Sequence, residues 1–352
     1  MVSMDFKLYA KTHWKLILNV VTLVALAVLI YAIRDQIVAT IDNLTRVNAW
    51  ALLLMIPLEF LNYHAQARLY QRLFGIVGNK LSYKFLFKMS LELNFVNHVF
   101  PSGGVTGISY FGMRLRDGDA ISGGRATFIQ IMKVALTLLS FEVLIVFGLI
   151  ALAVMGRANN LTILVAGSLS TLLFIGTAGF IYIAGSHQRI SSFTKVATKT
   201  INRLIQIVRR RHPETVSVSR VEKVFDDFHD SYALFRVDNK SLRAPFMYAL
   251  MANVTEVLVL YAVYLAFGHL VNIGAVILAY AIANFAGLIS VLPGGIGIYE
   301  ALMTAVLAST GVPAAVSLPV TVMYRVLNTL IQLPPGYYLY HRNLTAKRVE
   351  QG

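Results

Sequence analysis

The stretch Leu288–Glu300, LISVLPGGIGIYE, limits the architecture more than any other part of the chain. It ends an apolar run, breaks at Pro293, Gly294, Gly295 and Gly297, and resumes as a helix-compatible segment carrying Glu300. Proline and glycine are poor helix interior. The surroundings are those of a membrane protein: 57% of the 352 residues are hydrophobic and only 14% are charged, against about 25% charged in a soluble domain. Broken backbone at membrane depth persists only where protein or a water-filled cavity satisfies its polar groups. Such interruptions often mark transporter binding sites.

A second break lies upstream, at Phe100-Pro101-Ser102-Gly103-Gly104-Val105-Thr106-Gly107. Pro101 and Pro293 are 192 positions apart, and the same offset pairs Gly103 with Gly295, Lys133 with Arg325, Val134 with Val326 and Thr137 with Thr329. Each break is thus followed, 32 residues later, by a lone cation inside an apolar helix. This pattern predicts an internal duplication.

The expected class is all-α, a polytopic membrane protein in one transmembrane domain, 1–352. Spans are expected at about Trp14–Ile33, Ala49–Ala67, Ala126–Met155, Leu161–Ala184, Ala244–Phe267, Val271–Leu292 and Val312–Tyr340, the last interrupted near Pro334-Pro335. Arg34–Asn48 reads as a mixed loop and 68–84 as a basic one. Phe85–Phe100, Val105–Met113 and Ile298–Thr310 are too short to cross alone, since a crossing needs about 20 residues. The hydrophilic segment 185–243 contains an amphipathic pattern, Ile190–Val208, and a capping box at Ser219 and Glu222, and is expected to lie as helices on the cytoplasmic face.

Cytoplasmic loops are rich in Lys and Arg. Placing both termini, 68–88, 114–125 and 186–243 inside accounts for 26 of the 31 Lys and Arg. With that orientation, 85–113 in the first half (1–184) enters and returns inside. The segment 271–310 in the second half (244–341) enters and returns outside. The expectation is an inverted repeat whose two re-entrant hairpins, broken at Pro-Gly motifs, face each other. The net charge of +14 is assigned to the cytoplasmic face and to anionic lipid, with no nucleic acid as partner.

Charged groups at the bilayer centre cost roughly 2.5–3.5 kcal/mol each. Glu59, Lys133, Glu142, Glu256, Glu300 and Arg325 fall within spans, and Lys88 and Glu92 near one. Lys133 and Arg325, at matched positions near half-helix ends, suit an anionic group such as phosphate. Glu300 is either the ion-pair partner of Arg325 or a coupling carboxylate, and Glu59, Glu142 and Glu256 are candidates for ion pairs or coupling. His64, Asn94, Asn97 and Asn284 read as packing or capping residues. There is no cysteine, Walker loop, HExxH or GxSxG, so no enzyme activity, metal or cofactor is expected.

The segment PGGIGIYEALMTAVLASTGVPAAVSLPVTVMYRVLNTL, with its Pro-Gly-Gly-x-Gly turn, Glu300, Gly311 and Tyr324-Arg325 pair, resembles the C-terminal signature of the flippase-like family. That family includes the membrane half of the lysylphosphatidylglycerol synthase/flippase. The upstream PSGG, followed by Arg114 and Gly118, is similar to the family's first motif. The resemblance covers about 14–340. It implies a lipid translocator and carries function onto Pro101, Gly103, Gly104, Arg114, Gly294, Gly295, Gly297, Glu300 and Arg325. Lys133 stands where the family leads one to expect arginine. The chain ends at Gly352, so the expectation is a flippase domain without the synthase domain.

The expected function is movement of a phospholipid or headgroup-modified lipid between leaflets of the cell membrane, its phosphate held by the intramembrane cations. An anionic, aminoacylated or glycosylated lipid remains open. So do a separate lipid-modifying enzyme and a homo-oligomer as partners. The alternatives are a secondary transporter of a small anionic solute, and a non-transporting membrane subunit of a lipid-modifying complex.

Overall fold

The computed structural model describes residues 30–100, 105–116, 121–156, 160–184, 239–289 and 297–349, with scattered positions outside these ranges. The cores of both breaks (Pro101, Gly103, Gly104, Pro293, Gly294 and Gly295) lie outside the described residues, as do most of the first expected span and most of 185–238. All regular structure among the described residues is helical. We number the helices α1 (Arg34–Leu44), α2 (Ala49–Leu52), α3 (Met55–Ile76), α4 (Tyr83–Val99), α5 (Val105–Arg116), α6 (Gly123–Val154), α7 (Asn160–Ala184), α8 (Arg243–Ala266), α9 (Ile273–Ile289), α10 (Ile298–Ser309) and α11 (Ala314–Val349). A short 3₁₀ turn, Asn239–Leu242, precedes α8. Among the described residues, four helices are long and apolar enough to cross a membrane: α6, α7, α8 and α11.

Local chemistry fixes the ends. Helix α3 stops at Gly78, whose φ of +81° is left-handed, and Asn79 N–H donates back to Phe74 O at 2.9 Å. Helix α8 stops in the same way at Gly268, φ +75°, with His269 N–H on Tyr264 O at 3.0 Å. Both are the glycine-terminated turn in which freed carbonyls regain donors. Ser82 Oγ then accepts from Phe85 N–H at 3.3 Å to start α4, and Asn272 Oδ1 accepts from Gly274 N–H at 2.7 Å to start α9.

These corners correspond at an offset of 190, Gly78 to Gly268 and Asn79 to His269. Past the breaks the offset grows to 193, from Val105 at the start of α5 to Ile298 at the start of α10. Helices α4 and α5 have 17 and 12 residues, and so do α9 and α10. At about 1.5 Å per residue none of the four is as long as the roughly 30 Å hydrocarbon core. Packing follows the same pairing. Helix α3 lies along α8, α4 packs on α11 while α9 packs on α6, and α5 packs on α6 while α10 packs on α11. At the offset of 190, Asn62 corresponds to Ala252, and Asn62 Nδ2 donates to Ala252 O at 2.8 Å.

Both crossed pairs meet through glycine. A Cβ added at Gly274 would lie 2.4 Å from Gly148 O, and one added at Gly336 would lie 2.6 Å from Leu91 O. Backbone atoms cannot swing away as side chains do. Gly336→Ala is therefore expected to lower stability by at least about 1–3 kcal/mol, the usual cost of overpacking. Gly167→Ala, with nothing within 4 Å of the added atom, is expected to leave it unchanged or slightly raised. Thermal unfolding of the two variants in one detergent measures the difference.

Three expectations are corrected. Arg34–Asn48 is not a loop: residues 34–44 form α1, which buries Thr40 and packs on α11. The expected basic loop 68–84 starts later, because α3 runs on to Ile76 with Arg68 and Arg72 on it. Arg68 keeps its charge over the Tyr83 ring, 4.8 Å from its centre, and bonds Gln71. Finally, α11 continues through Pro334 and Pro335. Proline removes one donor, and neighbouring helices stabilise such sites in membrane bundles. Here Gly336 keeps the same turn tight against α4.

Candidate functional site

Arg325 sits about a third of the way along α11 and Glu300 in the first turn of α10. The two form an ion pair, with side chains 16% and 7% exposed. Glu300 is held from three elements. Gly297 N–H donates to its Oε2 at 2.7 Å, and Gln36 Nε2 on α1 donates to its Oε1 at 3.0 Å. Arg325 completes the set. A carboxylate in a first helical turn also meets the positive end of the helix dipole. Gly297 has φ +84°, in the left-handed region that favours glycine. The guanidinium further lies 4.9 Å from the centre of the Tyr299 ring.

Beside this pair is a cavity of about 340 Å³. Five amides (Asn94, Asn97, Asn284, Asn328, Gln332) and four hydroxyls (Tyr280, Tyr299, Tyr324, Thr329) line it, together with Glu256, His98 and Arg325. Helices α4 and α9 contribute Asn94 and Asn284, which correspond at the offset of 190. Tyr324, Asn328 and Gln332 recur every four residues on one face of α11. They reach two acids: Tyr324 O–H donates to Glu256 Oε2 at 3.0 Å, and Gln332 Nε2 donates to Glu59 Oε2 at 2.9 Å. Gln332 also donates to Asn328 Oδ1 at 3.0 Å, and Asn328 Nδ2 to Glu256 Oε2 at 3.5 Å. Neither Glu59 nor Glu256 has an ion-pair partner among the described residues.

The first half holds a different centre. Glu92, fully buried on α4, accepts from Tyr110 O–H at 2.7 Å, Arg114 Nε at 3.0 Å and Asn343 Nδ2. Arg114 is therefore spent on joining α5 to α4. Lys133 donates to Gln66 Oε1 at 3.2 Å and lies 5.0 Å from the Tyr70 ring centre. Gln66 passes the chain to Asn62 at 2.6 Å. Lys133 and Arg325 hold matched positions but different partners, and Lys133 does not line the cavity. Glu142, on α6, is half-buried, and its Oε1 is buried with no hydrogen-bond partner among the described residues. His64 Nδ1 pairs with Tyr83 O–H at 2.9 Å in a packing contact.

Of the residues singled out in the sequence, the structure brings Glu256, Glu300, Arg325, Asn94, Asn97, Asn284 and Gly297 to one place. It puts Arg114 and Lys133 elsewhere. Missed were Gln36, His98, Tyr280, Tyr299, Asn328 and Gln332. For Asn328 and Gln332 a signal existed: amides four residues apart in an apolar helix, in step with Tyr324.

The family model for the lysylphosphatidylglycerol synthase transmembrane region matches residues 17–336. The chain belongs to that family. A UPF0104 membrane protein of Methanocaldococcus jannaschii is 21% identical over 332 residues, 93% of this chain and 94% of that protein. One from Methanothermobacter thermautotrophicus is 34% identical over 88 residues, 25% of this chain and 26% of that protein. One from Pyrococcus horikoshii is 26% identical over 155 residues, 42% of this chain and 46% of that protein. The matches to these last two relatives thus span under half of their length. The chain is an all-α polytopic membrane protein of a lipid-related family.

Proposed function

We propose that this protein moves a phospholipid or headgroup-modified lipid between the leaflets of the cell membrane, without covalent chemistry and with both termini in the cytoplasm. The observation that carries the reading is the polar cavity of about 340 Å³ beside Arg325 and Glu256, set among apolar helices. Buried polar groups at such depth are expensive and face a pathway or a partner. The headgroup would enter the cavity while the tails stay in lipid. The matched lengths of α4–α5 and α9–α10 support an inverted duplication with two re-entrant hairpins and alternating access between them.

Charge narrows the headgroup. Arg325 is matched by Glu300, whereas Glu256 faces the cavity with no cation within 4.0 Å among the described residues. A headgroup bringing an amine along with its phosphate suits this balance better than a bare anion does. Purified protein in liposomes, with labelled lipids of anionic, zwitterionic and aminoacylated headgroups, tests the reading. Flipping above empty liposomes, fastest for the amine-bearing lipids, is the expected result. Glu256→Gln is expected to slow the amine-bearing lipids about tenfold, roughly one charged hydrogen bond, and to leave the anionic one unchanged. No headgroup dependence in the wild type would sink the assignment of the cavity.

A further inference from the structure

Glu59 is 2% exposed, its Oε1 is buried without a hydrogen-bond partner, and it does not line the cavity. Among the described residues its one hydrogen bond is the one from Gln332. Among the described residues, the groups on the helices packed against α3 offer it no unengaged cation. Helix α8 brings Glu256, another acid. Helix α4 brings His98, whose Nδ1 is on Asn94 O at 3.0 Å, and Glu92, held by Arg114. Helix α6 brings Lys133, held by Gln66 and Tyr70, and the acid Glu142. Helix α11 brings Tyr324, which donates to Glu256, and Arg325, paired with Glu300. On α3 itself, Tyr63 accepts from Asn94 and His64 pairs with Tyr83. Two acids therefore share one bridge of amides, and the inner one keeps a spare oxygen. An uncompensated buried carboxylate is among the costliest groups a protein can hold.

We propose that Glu59 and Glu256, bridged by Gln332 and Asn328, hold one small monovalent cation, a proton or a sodium ion, whose loading sets the charge of the cavity. A lipid headgroup would meet Glu256 in the cavity, whereas Glu59, buried and outside the cavity lining, is left to a small ion. Loading neutralises one of the two acids. The amide bridge then passes the change to Glu256, Asn328 and Gln332, which line the cavity. An ion gradient can drive a substrate through such a shared site. The coupling role rests on the translocation reading; the ion site itself does not.

Thermal unfolding of the full chain in nanodiscs tests the site without any transport. Sodium chloride is exchanged for choline chloride at constant ionic strength in one arm, and pH is varied at constant salt in the other. A cation bound only by the folded state raises the melting temperature with a saturating dependence on its concentration. Wild type is expected to respond saturably in one arm, which names the ion. Glu59→Gln is expected to lose that response. Should Glu59→Gln not fold, Glu59→Asp serves, with its midpoint displaced at least tenfold in cation concentration. Infrared difference spectra of the wild type across the same step should show a carboxyl band changing. A wild type flat in both arms, or a variant that keeps the full response at an unchanged midpoint, overturns the site. Ion binding without flipping sinks the translocation reading alone, and flipping without an ion response sinks this inference alone.

Discussion

Replacing Glu300 by alanine is expected to destabilise the protein by about 3–5 kcal/mol, the range for removing one partner of a buried ion pair. Three elements lose their common acceptor at once: Gln36 on α1, the Gly297 N–H that opens α10, and Arg325 on α11. The guanidinium is then left in a site only 16% exposed without its carboxylate. Denaturant or thermal unfolding of Glu300→Ala in detergent reads the loss. Because the contact is one unit, Glu300→Gln combined with Arg325→Gln should cost less than the sum of the two single changes. A Glu300→Ala protein within about 0.5 kcal/mol of wild type, as for an ordinary surface change, would show that α1, α10 and α11 are held by packing alone.

The spans α6, α7 and α8 were legible because bilayer thickness and apolar length are coupled directly; their expected and observed ends differ by at most three residues. The correspondence of elements between the two halves shows in the sequence at the Pro-Gly breaks, but a single offset of 192 blurs two values, 190 before the break and 193 just after it. That blur hid the pairing of Asn94 with Asn284, both of which line the cavity. Helix α1 was illegible for a different reason. Its buried face is Thr40 and its key contact is Gln36 to a carboxylate 264 positions away, so nothing in its own pattern announces a partner. Pro334-Pro335 would interrupt an isolated helix, but here α4 packs against the same turn and α11 continues.

The matched cations show where symmetry of sequence stops predicting chemistry. Lys133 and Arg325 share the offset of 192, yet Lys133 bonds the amide of Gln66 and Arg325 the carboxylate of Glu300. At the offset of 190, Gln66 corresponds to Glu256. The first half thus carries a neutral amide where the second carries an acid, and Lys133 is satisfied by Gln66 and the Tyr70 face without an ion pair. Both charged groups that line the cavity, Glu256 and Arg325, come from the second half, while α4 of the first half adds Asn94, Asn97 and His98.

Arg325→Ala is expected to slow lipid flipping by about 10- to 100-fold, since a hydrogen bond to a charged group is worth about 1.5–3 kcal/mol and each ~1.4 kcal/mol is a tenfold change in rate. The same substitution strands Glu300, so lost activity alone would not separate recognition from folding. The double variant Glu300→Gln with Arg325→Gln separates them. It removes both charges, keeps two side chains able to hydrogen-bond, and leaves α10 beside α11. If Arg325 acts on the headgroup, this variant recovers stability while flipping stays at the level of Arg325→Ala. If the pair only clamps α10 to α11, flipping recovers together with stability. Arg325→Lys adds a graded reading. It keeps the charge but loses the planar fork that holds a phosphate through two donors, so an intermediate rate is expected where phosphate is the group held. A rate equal to wild type would assign Arg325 a purely electrostatic part.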